Sequence, residues 1–153
     1  MFAFFRKKPH KFFSAEEQEK ILDAIRTGEK TTSGEIRVFI ENRCRFVNAI
    51  DRAAELFYAL SMEKTRHRNG TLVYIALKDR QLAVYGDQGI HEKTGNKFWE
   101  DAVHLMVRNF NNENYAEGIA TVVLKIGETL SFHFPYEEST DKNELPDELV
   151  FGH

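Results

Sequence analysis

The sequence predicts one α/β domain, a small mixed β-sheet flanked by about four helices in the order α-β-α-β-β-α-α. Three observations carry this. Two strand-length runs, residues 35–41, rich in β-branched and apolar residues, and 71–77, almost continuously apolar, stand on either side of a helical stretch, which makes a βαβ crossover with parallel, right-handed pairing. The short turn Lys78-Asp79-Arg80 leads into a third run, 81–85, so the second and third strands form a hairpin. Two amphipathic helical patterns then follow, and none of the segments repeats.

The elements take their limits from local chemistry. Ser14-Ala15-Glu16-Glu17 is a capping box, in which the hydroxyl takes one orphan amide and the carboxylate takes another. Ile21, Leu22 and Ile25 fall on one face of a first helix that runs to about Lys30. Thr31 to Gly34 breaks it before the first strand. Asn48 is the expected N-cap of a second helix, with Asp51 in its first turn. Ile50, Ala53, Ala54, Phe57 and Leu60 form its buried stripe, and it should end near Lys64. Asn69-Gly70 opens the second strand, and 86–89 reads as a glycine turn closing the third. Phe98, Trp99, Ala102, Met106 and Phe110 mark a third helix, on which His104 is expected partly buried. Tyr115 to Leu130 builds a fourth, stopped by Pro135. The body spans residues 12–136. The tail, 137–153, is acidic, with Leu149, Val150 and Phe151 able to dock.

Bulk properties narrow the function classes. A chain of 153 residues buries roughly 68–70% of its unfolded surface, enough for a core without disulfides. A net charge of −3, with both signs interspersed, favours neither a nucleic-acid partner nor an anionic membrane, and no nucleic acid is expected. No run reaches the roughly 18 apolar residues of a membrane span. The N-terminal aromatic-basic stub lacks the order of a signal peptide, with Phe12 and Phe13 expected to pack on the body. Cys44 stands alone, which suits a reducing compartment, and a cytoplasmic location is the expectation. Arg43 and Arg45 flank its thiol, but a passive role is the simpler one.

Residues 69–76 (Asn-Gly-Thr-Leu-Val-Tyr-Ile-Ala), the Lys78-Asp79-Arg80 turn and residues 86–90 (Gly-Asp-Gln-Gly-Ile) resemble the central signature of TPM-domain proteins. Residues 143–148 resemble the end of that family's compact bacterial branch. The resemblance implies a mixed sheet flanked by helices. It also implies a link to thylakoid-lumen proteins of photosystem repair, to a plant acid phosphatase and to divalent-metal binding. The signal peptide and membrane anchor of many relatives are not expected here.

The topology sorts the polar loops onto two edges of the sheet. The first lies beyond the carboxyl ends of the first two strands, where ligands of open α/β sheets bind. Glu41, Asp51 and Asp79 there offer hard oxygens to calcium or magnesium (Ca2+ or Mg2+). Arg43 and Arg45, near a helix start, offer instead to hold a phosphate or another small anion. The opposite edge gathers Arg68, a further candidate anion-binding residue, with Asn69 and Asp87. Asp87 is there either a separate metal ligand or acid–base group helped by Asn69, or the partner of Arg68 in a structural ion pair. Asp79 and Asp87 cannot share an ion, because the strand between them is roughly 20 Å long.

Other motifs fall away. Ser61-x-x-Lys64 and Lys93-Thr94-Gly95 mimic penicillin-interacting enzymes, but no Ser-Asp-Asn follows. Gly86-x-x-Gly89 lacks the spacing of a phosphate loop, and the scattered histidines form no zinc motif. Three classes remain. One is a binding module for a cation, a small anionic ligand or a partner protein. The second is a metal-dependent acid phosphatase-like hydrolase. The third is an interaction scaffold using the acidic tail.

Overall fold

Local signals start and stop most elements of the computed structural model, which describes residues 8–45, 48–137 and 149–153. The aromatic-basic stub before Lys8 and the acidic stretch 138–148 lie outside the described residues. A short helix α1 (Pro9–Phe12) begins on a proline, whose missing N–H costs nothing at a helix start. Helix α2 (Ala15–Glu29) carries both capping-box bonds, Glu17 N–H to Ser14 Oγ at 3.0 Å and Ser14 N–H to Glu17 Oε1 at 2.9 Å. Strand β1 (Glu35–Glu41), helix α3 (Ala49–Ala59) and strand β2 (Gly70–Ala76) make the crossover. Strand β3 (Gln81–Gly86), helices α4 (Gln88–Thr94), α5 (Asn96–Asn111) and α6 (Tyr115–His133), and strand β4 (Leu149–Phe151) complete the order.

The sheet is four-stranded, β3-β2-β1-β4. Strands β1 and β2 run parallel from Glu35↔Gly70 to Glu41↔Ala76, and β2 and β3 pair antiparallel. The closing run 149–151 lies parallel to β1, with Phe39 opposite Val150. Every residue of β1 and β2 is buried, the charged Glu35, Arg37 and Glu41 included, as strands covered on both faces require. Ile36, Val38, Ile40, Val73, Ile75 and Val84 face α2, α5 and α6. Phe39, Leu72, Tyr74, Ala76 and Ala83 face α3. Each large apolar side chain so enclosed contributes about 1.5–3 kcal/mol, so the two-sided burial outweighs any single polar contact in holding the strands together. Phe13 is buried and Phe12 half-buried against this core. Among the described residues, no helix is long and apolar enough to cross a membrane.

Four local expectations are corrected. Helix α3 stops at Ala59 instead of near Lys64, because Ser61 adopts the left-handed conformation (φ 59°). The amides of Ser61 and Met62 then bond back to the carbonyls of Tyr58 and Phe57, closing the helix. Asn48 occupies the N-cap of α3, but its side chain makes no capping bond. The glycine turn at 86–89 is the start of α4, with Asp87 as its N-cap. Gly89 serves close approach there: a Cβ would meet the His67 carbonyl oxygen at 2.2 Å. His104 is exposed on α5.

Helices α2 and α6 cross at Gly28 and Gly127, where a Cβ on Gly127 would fall 2.4 Å from the Gly28 Cα. Backbone cannot yield as a side-chain tip can. Gly127→Ala is expected to destabilise the protein by about 2–3 kcal/mol, read as a lower urea midpoint. An unchanged midpoint would show that the crossing is loose.

Candidate functional site

Parallel strands deliver their carboxyl ends to the same side, so β4, β1 and β2 all terminate on one rim. The β1–α3 loop and the β2–β3 turn meet there. Leu77 N–H bonds to the Glu41 carbonyl at 2.8 Å, and Lys78 and Asp79 N–H bond to the Asn42 carbonyl at 2.7 and 3.2 Å. The Asp79 carboxylate adds a cross-link, its Oδ2 accepting from the Cys44 amide at 2.8 Å. Its Oδ1 lies 3.9 Å from Arg43 Nη1.

Glu41 ends β1 and is nearly buried. A carboxylate removed from water must be paired or neutralised, and three hydrogen bonds pair it. Arg52 of α3 grips it with a two-pronged fork, Nε to Oε2 at 2.8 Å and Nη2 to Oε1 at 2.9 Å. The Tyr74 hydroxyl, from β2, donates to Oε2 at 2.5 Å. Donating hydrogen bonds to Glu41 holds the Arg52 guanidinium even more firmly charged than usual, against the opposing effect of burial. Burial first, and then the bond to Glu41, push the Tyr74 phenol above its ordinary value.

Beside this group opens a cleft of about 610 Å³. Four cationic residues, Arg43, Arg45, Arg52 and Lys78, line it against two carboxylates, Glu41 and Glu55. Glu55 accepts from Arg52 Nη1 at 2.5 Å. Gly152 and His153 close the β4 side. Arg43 and Arg45 are exposed on the cleft, whereas Asp51, exposed in the first turn of α3, is not among its walls. Among the described residues, no group of three or more His, Cys, Asp or Glu side chains stands close enough to share a metal ion.

The opposite edge holds Arg68, Asn69 and Asp87 as the hairpin requires. Arg68 Nε and Nη2 reach Asp87 Oδ2 and Oδ1 at 2.7 and 2.9 Å. Oδ1 of Asp87 also accepts the Gln88 amide at 2.7 Å, the capping bond of α4. The hydrogen bonds that Arg68 donates to Asp87 raise its pKa further. Asn69 turns away, its Nδ2 donating to Ser33 Oγ at 3.3 Å. Asp87 therefore locks the strand-to-helix corner with its own oxygens.

A family model for the TPM domain matches residues 7–129. The chain belongs to the TPM-domain family. Its solved structural relatives include the BA42 protein of the psychrophilic bacterium Bizionia argentinensis, 37% identical, with a TM-score of 0.83 over 92% of this chain and 96% of that one. The N-terminal domain of a P. gingivalis protein follows at 19% identity and TM-score 0.66, over 82% of each chain. The N-terminal domain of the cg2496 protein of Corynebacterium glutamicum is 13% identical, with a TM-score of 0.61 over 92% of this chain and 82% of that one. These last two likenesses concern the fold alone. No curated protein matches this TPM domain.

Sequence reading placed Glu41, Arg43, Arg45 and Asp79 on this rim but missed Arg52, Tyr74, Glu55 and His153. Tyr74 reads as core within an apolar run, and Arg52 as one more exposed helix charge. Only the strand pairing shows that both converge on Glu41.

Glu41→Gln keeps the shape but removes the charge facing Arg52, and is expected to cost about 3 kcal/mol at neutral pH, measured by urea unfolding. A loss within error would show the fork to be solvent-screened. Because the phenol is raised, the stabilisation linked to Tyr74 is whole below the ordinary tyrosine pKa of about 10 and is lost as pH climbs past it. Tyr74→Phe should therefore flatten the alkaline fall in stability; an identical fall in both proteins would assign it elsewhere.

Proposed function

We propose that this TPM domain is a binding module that holds a small anionic ligand in the strand-end cleft. One observation carries the reading: the carboxylates beside the cleft are already engaged by protein donors, while Arg43 and Arg45 present guanidinium groups to it. Arginine matches the flat, two-oxygen face of phosphate or carboxylate, and a concave wall makes the contact selective.

A divalent cation would have to draw oxygens from Glu41 and Asp79, displacing the Arg52 fork and the Cys44 amide. Phosphoryl transfer would need a nucleophile oriented beside a clamp. Arginines supply a clamp, and no observation in the cleft favours a nucleophile.

Inorganic phosphate titrated into the full chain is expected to shift the backbone amides of the β1–α3 loop and the β2–β3 turn and to leave mid-α6 unmoved. Replacing Arg43 and Arg45 together by Ala should weaken binding about ten-fold without altering the unfolding midpoint. Phosphate affinity unchanged in that variant would remove the proposal. Calcium or magnesium shifts centred on Asp51 and Asp79, with no phosphate response, would replace it by the cation reading.

A further inference from the structure

The same rim opens on the other face of the sheet into a second hollow. This one, of about 500 Å³, lies between the ends of β2, α5 and α1 and the starts of β3 and α6. Its walls are mainly apolar, with Phe12, Leu77, Leu82, Val107, Phe110 and Tyr115 the principal side chains. All six are only partly covered, although most pack on the central core. The core ends here in an open socket of the size and lining that small-molecule sites have.

Its walls also include two cationic residues, Lys78 and Arg80, and one carboxylate, Glu113. Lys78 is also a wall of the cationic cleft, so one residue separates an apolar socket from an anion-attracting surface. Arg80 and Glu113 both sit in left-handed backbone (φ 53° and 61°), the first in the β2–β3 turn and the second in the α5–α6 turn.

We infer that the ligand of this domain is amphipathic: an aromatic or short alkyl body seated between Leu82, Val107 and Phe110, with a compact anionic head at Lys78 facing the cleft. This rests on the anion-binding reading of the cleft and adds the chemical class of the ligand. Purely ionic ligands would leave the socket wet. A purely apolar one would forgo Lys78 and Arg80.

Titration of the full chain with methylphosphonate and with phenylphosphonate separates the head from the body. Phenylphosphonate is expected to bind at least about ten-fold tighter and to shift amides near Val107, Phe110 and Tyr115 that methylphosphonate leaves alone. Val107 is exposed, so Val107→Trp can fill the socket without disturbing the core. It should abolish the gain from the phenyl group and leave methylphosphonate affinity unchanged, with the fold verified by its unfolding midpoint. Equal affinities for the two phosphonates, or a phenyl gain that survives Val107→Trp, would overturn the inference while the cleft reading stands. Silence from both phosphonates and from inorganic phosphate would overturn the two together.

Discussion

The parallel pairing of β1 with β2 governs everything placed around it. Seven residue pairs in register, buried on both faces, bring the carboxyl ends of two strands separated by a whole helix to a common edge. Apolar burial on this scale decides the register, because a one-residue slip would turn Val38 and Ile40 toward α3 and Arg37 and Phe39 toward α2 and α6. Once the register is set, the β1–α3 loop and the β2–β3 turn have no choice but to meet. Their backbone bonds between Glu41 and Leu77 and between Asn42 and Lys78 are consequences of it.

That edge also explains how the Glu41 carboxylate is accommodated where little water reaches it. The carboxylate costs desolvation energy, and only the convergence of β1, α3 and β2 supplies enough donors to offset it. The group then works as a joint between sheet and helix. Arg43, Arg45, Lys78 and Glu55 line the cleft beside it. Asp87 performs a comparable task at the far edge, tying Arg68 to the start of α4. Glu41, expected as a metal ligand, and Asp87, expected as a metal ligand, an acid–base group or a structural ion-pair partner, thus both direct their oxygens to protein donors.

Much of the fold was legible because its signals are local. The capping box of α2, the apolar runs of β1 and β2, and Pro135 after α6 each act over a few residues. Failures came where a distant contact prevailed. Helix α4 has a single buried residue, Ile90, so periodicity offers nothing to detect, and its glycine is set by the backbone of 67–68. The end of α3 turns on a left-handed Ser61, a residue type with no strong preference for that conformation. The site was half legible: loop positions follow from topology, whereas the partners of each charge do not.

By itself, then, the sequence determined the kind of element at most positions, the parallel crossover and its hairpin, and the sharing of one rim by Glu41, Arg43, Arg45 and Asp79. Periodicity, capping and turn chemistry act between near neighbours, and these outcomes need nothing more. Tertiary structure decided which rim charges are taken by Arg52, Tyr74 and the Cys44 amide, and that residues 149–151 extend the sheet beside β1. It also decided that the core opens into a socket beside Lys78. Those outcomes depend on side chains far apart in the chain arriving within hydrogen-bonding or van der Waals reach, a property of the packed molecule that no short window of residues encodes.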